Sequence, residues 1–346
     1  MQSEHSRRKE DHLRICSQED VDAAGVSTGL ERYRLAHCAV PELALAEIDL
    51  TTSFMGKLLR APVLISALTG GTAAAKRINY HLAQAAESAG VAMCVGSQRA
   101  AIEDSALENT YQVRAVAPSV LLFANLGAVQ LNYGYGLEEC QRAVDMIGAD
   151  ALVLHLNPLQ EALQSAGNVD FRGVMPKIAA LCRALPVPVV VKEVGWGISA
   201  NVASQLVEAG VAAIDVAGAG GTSWSQVERH RSQDRVQARI AAAFAGWGIP
   251  TAEAIRQVRR ALPCVPLIAS GGIASGPAAA IALALGADLV GTGRPLLIPA
   301  MAGDDAVAEE LAVLIGGLRT AMFASGLPNI QALKRATLYS TVEGAP

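Results

Sequence analysis

Aromatic residues are scarce in this chain. Phe, Trp and Tyr make up 4% of its 346 residues, although hydrophobic residues make up 51%. Ala, Val, Leu, Ile and Gly therefore carry the core, which suits closely packed parallel strands and helices rather than a β-sandwich. Paired cysteines are missing as well. The six Cys are scattered, with no C-x-x-C and no metal-finger spacing, which argues against a disulfide framework and for reduced thiols. No uninterrupted apolar segment reaches the ~18 residues of a membrane span, and the polar N-terminus has no apolar signal region. The expectation is a soluble cytoplasmic protein. Charge is nearly balanced at −4, so there is no electrostatic footprint for nucleic acid or for a membrane surface.

What the chain has in quantity is alternation. It is long enough for one (β/α)8 barrel of ~250 residues plus additions. From residue 61, short apolar runs recur at 63–67, 92–95, 120–125, 151–155, 187–192, 212–216, 265–269 and 289–291. Between them lie stretches with helical spacing, such as 73–89, 137–147 and 198–208. Strands alternating with helices imply parallel pairing through βαβ units, and eight units is the barrel number. A doubly wound sheet is the alternative, but it concentrates its chemistry at one or two switch-point loops. Here almost every strand end carries a polar or glycine signature, which favours the barrel. Residues 1–60 read as an N-terminal arm and adaptor, and 61–346 as the barrel.

The run at 151–154 stops at His155, Asn157, Gln160 and Glu161. A barrel keeps its active site at the C-terminal ends of its strands, where this cluster falls. Period-two alternation sends His155 and Asn157 to one side, while Pro158 ends regular pairing and places Gln160 and Glu161 on the following loop. Lys192 closes another apolar strand, where a lysine either snorkels to the rim or supplies a functional charge. After the seventh and eighth strands come Ser270-Gly271-Gly272-Ile273 and Gly291-Thr292-Gly293-Arg294. Glycines allow close backbone approach to an anion, and a helix starting near Ser275 points its amide hydrogens at the same place, so a phosphate site is expected there.

In order along the chain stand Arg8-Lys9-x-Asp11-His12, Leu68-Thr69-Gly70-Gly71, Gly96-Ser97-Gln98-Arg99, His155-x-Asn157-x-x-Gln160-Glu161, Lys192-Glu193-x-Gly195-x-Gly197 and Gly218-x-Gly220-Gly221-Thr222-Ser223-Trp224. This combination resembles the type 2, FMN-dependent isopentenyl-diphosphate isomerases from Arg8 to about Leu297. The resemblance implies an enzyme of isoprenoid biosynthesis that interconverts isopentenyl and dimethylallyl diphosphate. It implies a reduced FMN that donates and accepts the proton, NADPH to bring the flavin to that state, and Mg²⁺ held by Glu161. Arg8, Lys9, Ser97, Gln98, Arg99, His155 and Asn157 would bind the diphosphate, and Gln160 would lie beside the reacting double bond. His155 and Gln160 are the candidate catalytic residues. Ala67, Leu68, Thr69, Ser97, Asn125, Lys192, Thr222, Gly271, Gly272, Ile273, Gly293 and Arg294 would hold FMN. Gly293 stands where relatives often carry Ala.

The nearest rival is an FMN barrel oxidising 2-hydroxy acids, which typically needs a His-x-x-Arg pair after the seventh strand. This chain has no histidine beyond His230. A catalytically idle flavin or phosphate binder would have no use for Arg8, Lys9, Gln160 and Glu161. Two further expectations concern order. Residues 1–20 read as a solvated terminus that the resemblance promotes to an arm over the mouth, and 223–237 as a mobile polar loop acting as a lid. The Ala-rich helix at 305–324 would pack on the barrel or on another subunit, the family forming oligomers of four or eight.

Overall fold

In the computed structural model, which describes residues 4–341, eight strands close into a parallel barrel in sequence order. They are Val63–Ile65, Ala92–Cys94, Leu122–Gly127, Ala151–Leu156, Val189–Glu193, Ala213–Asp215, Leu267–Ala269 and Leu289–Thr292. Each falls on one of the apolar runs read from the sequence. The expected (β/α)8 architecture is the one found.

Alternation along the strands divides the core in two. Phe123, Val153, Val190 and Ile268 point into the barrel with Leu64, Cys94 and Leu289. Their neighbours Leu122, Leu152, Leu154, Val189 and Val191 point outward, against the helices. Mostly aliphatic inward residues, with Phe123 among them, fill the interior. The N-terminal end of the barrel is plugged by the hairpin Thr52–Phe54 and Lys57–Leu59, which adds Phe54 and Leu59 to the interior cluster.

Local chemistry sets the helix limits. Helix Ala73–Ala89 begins where the Thr72 side chain accepts from the Ala75 amide, and it ends at Gly90 with φ 67°. Helix Gly276–Ala284 starts at Ser275, whose side chain accepts from the Ala278 amide, as expected of a helix aimed at the glycine loops. The late Ala-rich helix spans Asp304–Phe323 and packs on Gly276–Ala284 and Ala73–Ala89.

The segment before residue 61 serves both ends of the barrel. Its strand Tyr33–Leu35 pairs with Leu338–Ser340, and its hairpin closes the bottom. The expected arm is a helix, Glu4–Gln18, against which Trp224–Arg231 packs. Ile15 and Val21 are fully buried beside Val227. Residues 1–3 and 342–346 of the two expected segments lie outside the described residues.

The lid expectation fails in its secondary structure. Residues 223–237 hold all of helix Trp224–Arg231 and the start of helix Arg235–Ala243. Ser225, Gln226, Val227 and Glu228 are buried. The polar composition read as a loop belongs instead to two helices, with Ser225, Gln226 and Glu228 buried, the charged residues from Arg229 onward left at or near the surface, and Asp234 capping the second helix through the Val236 and Gln237 amides. Among the described residues no helix is long and apolar enough to cross a membrane.

Candidate active site

The cleft lies at the C-terminal mouth. The N-terminal helix brings Arg8, Lys9 and His12, which recur at helical spacing and therefore share a face. The ends of the first four strands bring Ala67, Leu68, Ser97, Arg99, Asn125, His155 and Asn157, and the fifth brings Lys192. Gln160 and Glu161 also line the cleft, but from helix Pro158–Leu163 rather than from a loop. Pro158 both ends the strand and starts that helix, since its fixed φ and missing N–H suit a first helical position.

His155 is held in a defined tautomer. The Asn125 amide nitrogen donates to Val95 O at 3.1 Å, which turns its oxygen toward His155 Nδ1 at 2.8 Å. Nδ1 is then the protonated nitrogen, and Nε2 presents a lone pair. Burial, with Lys192, Lys9 and Arg8 adding their charges, lowers the imidazole pKa to about 3. His155 is neutral at pH 7, and it donates to a phosphate oxygen only by gaining a proton that these cations oppose.

Glu161 is wrapped by amides. Asn157 Nδ2 donates to its Oε1 at 3.0 Å, while Gln164 Nε2 and the Asn168 amide donate to Oε2. Arg99 reaches the same corner, with Nη1 on Asn168 Oδ1 at 2.9 Å and Nε on Glu103 at 2.7 Å. Among the described residues no group of three or more His, Cys, Asp or Glu is placed to hold a metal ion. One ordered carboxylate fits Mg²⁺ only if the ligand's own oxygens complete the shell, a common arrangement for this ion.

Gln160 is clamped at both ends. Its Oε1 accepts from Asn157 Nδ2 at 3.1 Å and its Nε2 donates to Glu228 Oε1 at 3.3 Å. Glu228 also meets His12 Nε2 at 3.1 Å and Arg231 Nη1 at 2.8 Å. Burial pushes the Glu228 carboxyl up, but the hydrogen bonds from His12 and Gln160 and the charge of Arg231 outweigh it and leave the pKa lowered. His12, packed edge-on against Trp224 at 5.1 Å, has its own pKa lowered, mainly by burial. A neutral His12 donating to an ionised Glu228 satisfies both.

Several expected residues are placed elsewhere. Gln98 is fully buried, with its Nε2 on Ala143 O at 2.8 Å and its Oε1 accepting the Asn125 amide at 2.9 Å. It fastens the second strand end to the third and presents nothing to the cleft. Thr222 pairs with Asp22 in an isolated bridge. Gly271 and Gly272 have φ of 100° and 75°, and a Cβ on either would collide with the backbone of Gly218 or Gly220. The loops after strands six and seven thus touch backbone to backbone, with Ile273 buried behind them. Gly293 faces Leu68 and Ser66. The Arg294 guanidinium points to Cys16, Glu19 and Asp22, leaving its backbone for a cofactor.

Reading the chain for motifs passed over Gln130, Gln164, Asn168 and Glu228. Of these, Glu228 had a signal: Trp224, Val227 and Glu228 have the spacing of one helix face. The others are polar residues with no local pattern.

The arrangement fits FMN. Ser66 Oγ and Thr69 Oγ1, at the end of the first strand, are buried with no hydrogen-bond partner among the described residues, a cost that a ligand would remove. Lys192 stands at the rim with its ammonium on Glu193 O. The glycine loops after the seventh and eighth strands lie beside the helix that begins after Ser275.

Fold and mouth together define a flavin-type barrel whose far rim is lined with cations for an anionic ligand. The sequence matches the model of the FMN-dependent dehydrogenase family over residues 2–119 and 144–340. An isopentenyl-diphosphate delta-isomerase of Stutzerimonas stutzeri is 55% identical over 332 residues, covering 96% of this chain and 96% of its own. One from a Synechococcus species is 53% identical over 329 residues, covering 95% and 94%. Among solved structures, a mandelate oxidase variant superposes with a TM-score of 0.67 at 20% identity, covering 98% of this chain and 100% of that one, a likeness of fold. The chain belongs to the isopentenyl-diphosphate delta-isomerases within the FMN-dependent dehydrogenase family.

Lys9 gives this rim a pH dependence. Burial and the neighbouring Arg8 lower its pKa to about 8. An anion binds the ammonium form and raises its pKa, so affinity is complete below about pH 8 and falls as pH rises above it. Inorganic pyrophosphate should bind several-fold more weakly at pH 9.5 than at pH 7 by calorimetry. The Lys9→Arg variant should lose most of that slope, and an unchanged slope would assign it to another group.

Proposed function

We propose that this protein converts isopentenyl diphosphate to dimethylallyl diphosphate, using reduced FMN and Mg²⁺, as a step of isoprenoid biosynthesis. The observation that carries the reading is the meeting of Arg8, Lys9 and Arg99 with the amide-wrapped Glu161 and the clamped Gln160 at one barrel mouth. A diphosphate needs this cationic end, where Arg99 suits bidentate contact with phosphate oxygens and Ser97 adds a hydroxyl. Glu161 would hold Mg²⁺ jointly with the diphosphate.

Double-bond migration adds a proton at one carbon and removes one from another, with no net redox change. The side chains at the mouth are poorly suited to both tasks, since His155 is neutral with a pKa of about 3 and Glu161 is taken up by amides. When bound and reduced by NADPH, FMN would supply the proton donor and acceptor and an electron-rich face for the developing cation. The protein's part is positional. Asn157 sets Gln160 and Glu161 together, Lys192 places positive charge at the rim, and Asn125 fixes the tautomer and orientation of His155.

Oxidation of a 2-hydroxy acid, the other activity of such barrels, would want a base near neutral pKa. His12 and His155, the two histidines of the cleft, are both depressed. Assembly into a homo-oligomer of four or eight chains in the cytoplasm completes the proposal.

Proton NMR of isopentenyl diphosphate with the protein, FMN, NADPH and Mg²⁺ in deuterated buffer tests it. Dimethylallyl diphosphate should appear carrying solvent deuterium, and omitting Mg²⁺ should abolish turnover. In calorimetry Mg²⁺ should bind well only with pyrophosphate present. No conversion with the flavin reduced would sink the reading, and oxidation of mandelate or lactate instead would favour its rival.

A further inference from the structure

The N-terminal helix lacks something its position demands. Glu4–Gln18 has no basic residue in its last turn, although its terminal carbonyls carry the negative end of the helix dipole and have no partners within the helix. Arg294 makes up the deficit from the far end of the chain. Its Nε donates to Cys16 O at 3.2 Å, its Nη2 to Glu19 O at 3.4 Å, and its Nη1 pairs with Asp22 Oδ1. The same helix presents Arg8 and Lys9 to the cleft.

Arg294 follows Gly293 in the loop after the eighth strand, where the phosphate end of the cofactor is expected. A second loop of that end grips the same stretch of chain. Ala23 N donates to Gly221 O at 2.8 Å, and Ser223 N donates to Val21 O at 2.8 Å. Gly221 in turn lies so close to Gly272 that a Cβ on it would come within 2.4 Å of the Gly272 nitrogen. The base of the substrate arm therefore rests on the loops assigned to the cofactor phosphate.

We propose that Arg294 is a positioning residue that couples the two sites. Ordering of the eighth-strand loop around the cofactor phosphate fixes the guanidinium, the guanidinium fixes the C-terminal end of the helix, and the helix sets Arg8 and Lys9 over the cleft. The inference rests on the functional reading above for the identity of both ligands. Coupling of this kind is reciprocal, each ligand tightening the other by one factor.

The test is calorimetry of inorganic pyrophosphate with Mg²⁺ on the FMN-free and FMN-loaded full-length protein, alongside hydrogen exchange of residues 4–18. In the wild type, FMN should tighten pyrophosphate by roughly fivefold or more and slow exchange in the helix. The Arg294→Gln variant should bring the ratio to about one and leave helix exchange unchanged by FMN. Arg294→Lys, which keeps the charge but not the fork, should restore only part of both. Asp22, whose side chain is 66% exposed, offers a second variant that the fold should tolerate: Asp22→Asn should give an intermediate ratio. A wild-type ratio near one, or a full ratio in Arg294→Gln, overturns the coupling. A wild-type protein that takes up no FMN overturns the functional reading, and the coupling falls with it.

Discussion

Replacing Glu228 by glutamine should lower kcat by about a hundredfold, equivalent to ~3 kcal/mol, with a smaller change in KM. Three side chains present N–H to this carboxylate: His12 and Gln160 at Oε1, and Arg231 at Oε2. A glutamine keeps one acceptor and turns the other into a donor. With its NH₂ toward Arg231, it leaves a half-buried cation facing N–H groups, and losing one partner of a buried pair typically costs several kcal/mol. With its NH₂ toward Oε1's partners, His12 can change tautomer but Gln160 must flip its amide. The flip sets Gln160 Nε2 against the Asn157 amide nitrogen, which also holds Glu161 at 3.0 Å. Either way the disturbance reaches Gln160, which the proposed function sets beside the reacting carbons. Steady-state kinetics, with thermal melting as the control for folding, checks this. An unchanged kcat in a folded Glu228→Gln protein would reduce the chain of hydrogen bonds from His12 to Gln160 to a packing feature.

Gly271→Ala should strip the protein of flavin and lower its stability by at least ~2 kcal/mol, within the range for strained backbone positions. The residue sits at φ 100°, and an added Cβ would lie 2.1 Å from Gly218 O and 2.6 Å from Gly218 N. Those are backbone atoms, so no side chain can swing aside. Gly218 is itself pressed against Thr251, whose hydroxyl donates to Gly271 O at 2.6 Å. Relief must therefore come from moving the strand-seven loop. At this chain length ~2 kcal/mol corresponds to a drop in Tm of about 3 °C. Gly293→Ala is the contrast. Its Cβ would meet Leu68 and Ser66 at ordinary distances of 3.6 and 3.7 Å, so both Tm and flavin content should stay near wild type. Equal losses in the two variants would show that the glycines act through ligand approach rather than through the contact between loops.

The same contrast separates what the amino-acid order shows from what it hides. Strands such as Val189–Glu193 were legible because a buried parallel strand must be continuously apolar, and a polar residue such as Lys192 at its end marks the mouth. Ser275 was legible as a helix start because an N-cap is a local requirement. Polar residues in a stretch like 223–237 carry no such local mark. Ser225, Gln226 and Glu228 are buried because partners from the N-terminal helix, from Gln160 and from neighbouring residues satisfy them. Read without those partners, they look like a solvated loop. Gln98 misled for the related reason that an amide serves a strand junction as well as it serves a phosphate, and only its contacts with Ala143 and Asn125 tell which.

By itself the sequence determined the eightfold strand–helix alternation and the polar and glycine-rich strand ends that mark the mouth. These follow from short-range rules of burial, periodicity and capping, whereas the residues expected to meet an anionic headgroup and a flavin came from the resemblance to the FMN-dependent isomerases. Tertiary structure alone decided how those residues are used. It made residue 294 a cap for a helix that ends 276 positions earlier, drew Glu228 beneath Gln160, and set the tautomer of His155 through Asn125 and Val95. Hydrogen-bond partners and electrostatic neighbours depend on distances between remote parts of the chain, and the folded barrel is what sets those distances.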